Sequence, residues 1–406
     1  MSGNKHLKWA SRLDSFCVFV GAMVPTGLVI GNVGFESMMA LVGVCWIIRS
    51  IIAKQNPWPR LLKNPLVLPW LFWFGSVMIS LVWNGAGSKG WVHDIVLIRY
   101  FIYFAALLDI SHRRSIISAL LIGLGAGVLW GLANTIIAYL IGHDIFGHPL
   151  IRYTFKLKEA SRIASLAAYV GPFFLAWFFL DSKLTRKIKI AIFFVAGIAL
   201  IQIFHFHIRT VAIASVAGIL SILIYFIITN IPRIWSICIV SLMGLSIGAF
   251  LKFGPDWNLG SLYARFNIWK VAWSMWLDHL FVGVSVSAWP DFYKQKFASG
   301  TVELFMESNT LNVHVPKAAH AHNLFLQLLS STGILGLFSF LWLFVNSIRV
   351  QFKNKISGWR NGLITWPVVF CVIGLTGWNI FGSQYQTVFA YFMLLTAVSV
   401  VPQQEI

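Results

Sequence analysis

The chain has few charged residues, and acidic residues are the scarcest. Charged residues make up 11% of its 406 positions, with 13 Asp and Glu against 31 Lys and Arg. A soluble globular domain carries about 25% charge, so this composition excludes an ordinary soluble protein. None of the acidic residues forms an Asp-x-Asp pair, and none is grouped with histidines as metal ligands would be. We therefore expect neither a carboxylate-bound divalent metal nor any other cofactor.

The chain also lacks a disulfide framework and a nucleotide-binding loop. Its four cysteines all lie in apolar runs without metal-ligand spacing: Cys17, Cys45, Cys238 and Cys371. The Gly-Ala-Gly-Ser-Lys segment at 85–89 has the wrong spacing for a phosphate loop. A nucleotide-driven pump is therefore not supported, and no nucleic-acid partner is expected.

Hydrophobic residues occupy 58% of the chain, enough for about a dozen membrane crossings of roughly 20 residues each. We predict an all-α polytopic membrane protein with helices near 13–30, 35–53, 65–83, 92–109, 114–141, 162–181, 188–204, 208–228, 232–252, 324–349, 361–379 and 384–401. Residues 1–252 then hold nine transmembrane helices, 253–323 form one large loop with part of the active site, and 324–406 hold helices ten to twelve.

The positions of Lys and Arg predict which side of the membrane each loop faces. Loops on the same side of the membrane as the N-terminus carry basic clusters. The connections 31–34, 205–207 and 380–383, on the other side, carry no Lys or Arg. By the positive-inside rule, both termini are cytoplasmic and the long loop lies outside.

One short outer loop breaks this rule. It carries four basic residues between His143 and helix six: Arg152, Lys156, Lys158 and Arg162. Two interpretations stay open, namely contact with lipid headgroups and binding of an anionic substrate.

The long loop contains an amphipathic helix. One face carries large apolar residues at helical spacing: Leu262, Phe266, Trp269, Trp273, Trp276 and Leu280. The other face carries polar residues: Asn267, Lys270, Ser274 and Asp278. This pattern predicts a helix that lies at the membrane surface or covers a cavity. Arg265 falls at the edge of the tryptophan stripe, a poor position for a merely solubilising charge.

Three residues on the predicted outer side carry side chains that could act together in one reaction. Arg209 opens helix eight, Arg265 opens the amphipathic helix, and His322 directly precedes helix ten. Each has an ordinary explanation alone, such as an arginine that snorkels to the interface or an incidental histidine. Together they offer guanidinium groups for phosphate and an imidazole for proton transfer. Transfer from a lipid diphosphate needs these groups.

The same residues carry a family resemblance. His322-Asn323, followed after nine residues by Gly333-Ile334-Leu335-Gly336, resembles the signature of O-antigen ligases. Arg265 with Trp269, followed by the segment 278–284, resembles a region that these ligases share with O-antigen polymerases, and Arg209 matches the arginine that opens a helix ahead of the long loop.

The resemblance implies a fold related to the GT-C glycosyltransferases and a place in lipopolysaccharide biosynthesis. It implies transfer of O-antigen from undecaprenyl diphosphate to the lipid A–core oligosaccharide at the periplasmic face of the bacterial inner membrane, without metal or nucleotide. Arg209 and Arg265 would bind the diphosphate and His322 would act on the acceptor. Residues expected to make secondary substrate contacts are Arg152, Lys156, Arg162, His320 and Asn323.

Two departures from the family pattern affect the site. The usual Gly-Val-Gly after the amphipathic helix reads Gly283-Val284-Ser285. His320 precedes His322 by two positions, which on a helix would place the side chains about 200° apart. Both histidines serve one site only if this stretch is not helical, and we favour His322.

Several functions remain open at this point. An O-antigen polymerase or a protein O-oligosaccharyltransferase would use the same donor, although a single long outer loop favours a ligase. A lipid-linked oligosaccharide flippase or another transporter is the alternative from a different class. Transporters keep ionisable groups near the bilayer midplane, and here Arg99 is the only clear mid-helix charge.

Overall fold

The computed structural model of the protein describes residues 3–85, 87–111, 115–144, 160–206, 208–230, 259–304, 317–353, 358–376 and 381–400. Within these ranges the regular structure is helical and contains no strand. The first eleven helices are α1 (Gly3–Ala22), α2 (Val24–Ile30), α3 (Asn32–Ile52), α4 (Trp58–Leu61), α5 (Val67–Trp83), α6 (Ser88–Ile95), α7 (Ile98–Asp109), α8 (Ser115–Ile141), α9 (Ala160–Leu180), α10 (Arg186–His205) and α11 (Arg209–Asn230). The others are α12 (Leu259–Asp278), α13 (Trp289–Ala298), α14 (Leu324–Lys353), a 3₁₀ helix (Gly358–Ile364), α15 (Thr365–Thr376) and α16 (Ser383–Val398).

Seven of these helical segments are long and apolar enough to cross a membrane: Asn32–Ile52, Gly90–Asp109, Ile116–Ile141, Ala160–Leu180, Arg186–His205, Arg209–Asn230 and Leu324–Lys353. The pair α1 and α2, bent by 44°, makes an eighth if it counts as one span. The protein is therefore a multi-pass membrane protein. The predicted helix 232–252 lies outside the described residues, so the total of twelve stays a prediction.

The bundle has two ends, which the helix directions define. The histidine end carries the start of α3 and the starts of α9, α11 and α14, because the chain enters each of these helices there. Two contacts hold this end together: Arg162 at the start of α9 donates to Asn32 at the start of α3 (2.9 Å), and the Asn323 amide lies 3.5 Å from the Leu375 carbonyl oxygen near the end of α15.

The opposite end holds a buried cluster of charged side chains. Arg49 contacts Asp14 at 2.9 Å and Asp109 at 3.3 Å, and Asp109 also contacts Arg60 at 3.0 Å. The Trp46 indole donates to the same carboxylate of Asp109 (3.0 Å). Charged residues within helices are therefore not limited to Arg99, because they include Asp14, Arg49 and Asp109. Their mutual pairing offsets the cost of burying charge.

Helix α14 is broken at Gly333, where φ is 65° and ψ is −167°. The segment 280–285, which follows α12, supplies the hydrogen bonds that the break leaves open. The amides of Val284 and Ser285 donate to the carbonyls of Ser330 and Ser331 (both 2.9 Å). In the other direction, the amides at 334 and 335 donate to the carbonyls at 280 and 281 (3.0 and 3.3 Å). Broken backbone is tolerated inside a membrane protein only with such partners.

The turn at 283–285 forms although serine replaces the family's second glycine. Ser285 adopts φ 69°, in the left-handed region. Its amide also donates to the Ser80 hydroxyl of α5 (2.9 Å), and its own hydroxyl accepts from the Ala288 amide (3.3 Å). These bonds hold a residue that is fully buried in a conformation that glycine adopts more easily.

Helices α12 and α13 form a small second core beside the start of α14. It contains Ile268, Val271, Met275 and Trp289, together with Ala321. Helix α12 was predicted, but the face that it buries was not.

On α12, one member of the predicted polar face is buried and the tryptophan stripe is partly open. Asn267 is only 1% exposed, whereas Trp273 is 47% exposed. The polar face predicted from the sequence is therefore partly buried, at Asn267. Small and branched residues such as Val271 and Ala272 pack closely against α13 and α14, and this packing leaves the bulky indoles outside.

Candidate active site

Two histidines meet in the non-helical segment that precedes α14. The ring centroids of His320 and His322 lie 4.1 Å apart, with 45° between the ring planes. His322 adopts φ 51°, a conformation that is uncommon outside glycine and that concentrates at functional sites. The stretch is not helical, so the two imidazoles lie together instead of on opposite sides of a helix.

The segment is held on both sides of His322. The Asn323 side chain caps α14, because its oxygen accepts from the amides of Phe325 (3.0 Å) and Leu326 (3.1 Å). The Ala321 amide donates to the Gln327 side-chain oxygen at 2.7 Å. Asn323 is therefore a capping residue, whatever further contacts it makes, and the backbone on either side of His322 is fixed.

The surroundings of His320 disfavour its charged form. Burial, and then the neighbouring His322, lower the pKa of His320 from 6.5 to about 4. His320 is thus neutral at physiological pH. A neutral neighbour does not repel a proton on His322, which favours His322 as a proton acceptor.

Both predicted diphosphate ligands lie at the histidine end. Arg209 opens α11, is exposed, and follows His205, the last residue of α10. Helix α11 packs along α15, whose last turn contacts the start of α14. Arg209 and His322 therefore flank the same end of α15.

Arg265 lies in the first half of α12 and is partly exposed. The next turn of α12 reaches α14, because Phe266 and Trp269 line a groove together with Leu326. Among the described residues, no carboxylate lies within 4.0 Å of the Arg209 or the Arg265 guanidinium group, unlike those of Arg49 and Arg99. Both cationic groups are therefore available to an anion.

The groove along α12 has a volume of about 470 Å³ and is mainly apolar. Trp273 and Val302 continue its lining, and Lys270 closes one side by donating to the Glu303 carbonyl oxygen (2.9 Å). The indole nitrogen of Trp269 is buried and has no hydrogen-bond partner in the described part of the chain.

The structure describes only some of the residues that were predicted to make secondary contacts with the substrate. Arg162 lies at the histidine end, where it donates to Asn32 (2.9 Å). Arg152 and Lys156 lie outside the described residues. Within the described ranges, no three His, Cys, Asp or Glu side chains converge as the ligands of a metal ion would.

A polar cavity of about 950 Å³ borders the histidine segment on its other side. Ala319 and Gln327 contribute to its wall from the histidine segment and α14, and Arg99 and Glu36 form an ion pair there at 3.0 Å. Arg99 is the second residue of α7, directly after the break between α6 and α7. It lines this cavity and lies at the middle of the span Gly90–Asp109, where the sequence placed it.

One pair of residues in this cavity wall was not predicted from the sequence. His93 and Asp94 are adjacent in the chain and lie in the last turns of α6. The signal that points to them is an acid beside an imidazole at the outer edge of a predicted span.

Comparison with known proteins found one family to which part of the chain is similar. A family model described as O-antigen ligase matches residues 159–341, a segment that includes Arg209, Arg265 and both histidines of the pair. No curated protein matches the chain. Members of this family are glycosyltransferase-like ligases and polymerases, which supports an enzymatic role. The match confirms the resemblance predicted from the sequence: residues 159–341 are similar to the O-antigen ligase family.

Proposed function

We propose that the protein is an O-antigen ligase of the bacterial inner membrane, with cytoplasmic termini and a GT-C-related fold. It transfers O-antigen from undecaprenyl diphosphate to the lipid A–core oligosaccharide at the periplasmic face. The observation that carries the proposal is the close pair of imidazoles before α14, with ring centroids 4.1 Å apart. This pair lies within the matched segment and at the same end of the bundle as Arg209 and Arg265.

The donor diphosphate binds to Arg209 and Arg265. A guanidinium group makes two parallel hydrogen bonds to a phosphate and keeps its charge at any physiological pH. As the bond between the sugar C1 and the diphosphate oxygen breaks, negative charge grows on the leaving group, and two arginines neutralise it without a metal. The apolar groove beside Arg265 suits the prenyl chain next to the diphosphate.

The acceptor hydroxyl reacts beside His322. Its proton passes to the imidazole as its oxygen bonds to C1 and the diphosphate departs, and the proton then leaves to water. His320 stays neutral because its pKa is about 4. It packs against the His322 ring and adds no opposing charge.

The closest alternatives share this donor and differ in the acceptor. A polymerase would use a second lipid-linked glycan, and a protein O-oligosaccharyltransferase would use a serine or threonine hydroxyl. The single long outer loop predicted for 253–323 favours the ligase. A flippase or transporter is less well supported, because the cationic groups of the site lie at one end of the bundle.

Transfer by the purified full-length chain in lipid nanodiscs tests the proposal. Lipid-linked O-antigen is offered with lipid A–core, with a second lipid-linked glycan, or with a serine-rich peptide, each with and without a chelator. We expect product from lipid A–core alone, at a rate that the chelator does not change. Product from either of the other acceptors, or loss of activity with chelator, contradicts the proposal.

Single substitutions test the assigned roles. His322→Ala is expected to lower the transfer rate at least about a hundredfold, since a positioned proton acceptor contributes that much or more. Arg209→Lys and Arg265→Lys keep the charge but lose the forked geometry, so both weaken donor binding. Arg186→Lys at the opposite end, exposed at the start of α10, is the matched control and should behave as wild type. Wild-type rates for the two lysine variants would contradict the diphosphate assignment.

A further inference from the structure

The polar cavity contains a second imidazole, which is held by a buried carboxylate. His93 Nδ1 lies 2.8 Å from Asp94 Oδ1. Asp94 is fully buried, and its other oxygen accepts from the Ser287 hydroxyl at 3.3 Å. The His93 side chain, in contrast, is 54% exposed and lines the cavity.

This contact fixes the way in which the imidazole meets a ligand. A carboxylate only accepts hydrogen bonds, so the proton of the neutral ring lies on Nδ1. The other nitrogen, Nε2, then carries a lone pair. His93 is therefore preset to accept a hydrogen bond from an O–H or N–H group that enters the cavity.

The other polar groups of the cavity suit a molecule with many hydroxyls. Glu36 and Asp291 contribute carboxylates, which accept hydrogen bonds. Gln327 already uses its oxygen for the Ala321 amide, which leaves its N–H₂ group as a donor. Arg99, paired with Glu36, adds further N–H donors, so the lining both donates and accepts. A sugar can satisfy both kinds of group, because each of its hydroxyls donates one hydrogen bond and accepts others.

The position of the cavity links it to the reaction. Ala319 precedes the first histidine of the pair by one residue, and Gln327 lies in the first turns of α14. A sugar in the cavity thus lies against the segment that carries His322. The two arginines lie on other helices, at the start of α11 and in the first half of α12. The volume of about 950 Å³ is in the range of ordinary small-ligand sites.

We propose that this cavity binds the acceptor saccharide and that His93, held by Asp94, accepts a hydrogen bond from one of its hydroxyls. The inference rests on the proposed function, because it assigns the acceptor side of the same reaction. His93 touches the acceptor, whereas Asp94 is a positioning residue that acts through His93.

Initial rates measured with donor and acceptor varied separately test this assignment. His93→Ala is expected to raise the KM for lipid A–core about fivefold to tenfold, the effect of one lost hydrogen bond, and to leave the KM for the lipid-linked donor unchanged. His93→Gln retains a polar group near the Nε2 position and should restore part of the loss. Asp94→Asn should also raise the KM for lipid A–core. The asparagine amide can donate to Nδ1 and move the ring proton to Nε2, which then no longer accepts a hydrogen bond.

His205→Gln is the matched control. It replaces a histidine at the same end of the bundle, hydrogen-bonded to Tyr139 at 3.0 Å, outside the lining of this cavity. Its two KM values should equal those of the wild type.

The outcomes separate the two proposals. If the wild type does not transfer to lipid A–core, the proposed function fails. If the wild type transfers and the His93 variants have an unchanged acceptor KM, or lose kcat alone, the acceptor assignment is overturned. If Asp94→Asn does not fold, the two His93 variants decide between these outcomes. The His93 side chain is half-exposed, and the melting temperatures of both His93 variants are measured alongside their rates.

Discussion

Gly283 and Gly333 mark the two sides of one close backbone crossing. A Cβ atom on Gly283 would overlap the backbone of Ser331 and Thr332, and one on Gly333 would overlap the backbone of Phe281 and Val282. Both glycines have positive φ, 63° and 65°. The spaced glycine of the signature is therefore required by the break in α14 and by the segment that fills it.

Gly333→Ala should lower the stability of the folded protein strongly. A positive φ combined with ψ near 180° is essentially restricted to glycine and costs an L-residue about 1–3 kcal/mol, and the overlap with rigid backbone adds to this. Gly75→Ala in α5 is the control, because nothing lies within 4 Å of a Cβ there. Thermal melting of the detergent-purified proteins, followed by tryptophan fluorescence, compares them. Equal melting temperatures for the two variants would contradict the crossing.

Ser285 allows a more selective test of the same turn. Ser285→Gly relieves about 1 kcal/mol of left-handed strain but loses the bond from the Ala288 amide, of similar size. Its melting temperature should therefore stay close to the wild-type value. Ser285→Ala keeps the strain and also loses the bond, so it should be less stable than the glycine variant by about 1 kcal/mol. An alanine variant as stable as the glycine variant would refute the left-handed turn.

Protonation of His320 should make stability depend on pH. Because the pKa is about 4 in the folded protein and 6.5 in its ordinary state, the unfolded chain binds the extra proton between these values. The contribution is complete above pH 6.5 and is lost as the pH falls towards 4. Melting temperatures between pH 4 and 7 measure this slope, which should be shallower in His320→Gln. Identical slopes would mean that His320 titrates normally.

Removal of Arg49 should destabilise the opposite end of the bundle. Arg49→Ala removes the arginine that pairs with the buried Asp14 and one of the two arginines that pair with Asp109, a change that typically costs about 3–5 kcal/mol. Arg60→Ala should cost much less, because the Arg60 side chain is 46% exposed. Melting temperatures test the order. The transfer rate per folded molecule should stay the same in both variants, since the proposed site lies at the other end.

Patterns within single segments predicted most of the fold. Some apolar runs predicted helices to within a few positions, as for α8 and α9, whereas the predicted helix 13–30 is divided into α1 and α2 and begins ten residues earlier. The resemblance singled out the segment that carries the histidine pair. Helical periodicity did not reveal which side of α12 is buried. That choice depends on neighbours from α13 and α14, which are distant in sequence, and bulky indoles pack less closely there than Val271 and Ala272.

The parts of the site that depend on contacts between distant segments were not predicted. The Arg99–Glu36 pair joins α7 to α3 at 3.0 Å, and the Asp94–Ser287 contact joins α6 to the segment after α12. Neither has a spacing in the sequence that reveals it. His320 was judged by helical geometry, whereas the left-handed φ of His322 brings the two rings together.

The broken helix α14 has a consequence for how the chain is assembled during synthesis. Amide and carbonyl groups around Gly333 find partners in 280–285, a stretch that leaves the ribosome earlier than α14. If α14 entered lipid alone, each unmatched group would cost several kcal/mol. We therefore expect integration of α14 to be coupled to the return of the preceding loop to the bundle. The histidine segment, which connects the two, reaches its working shape only when that event is complete.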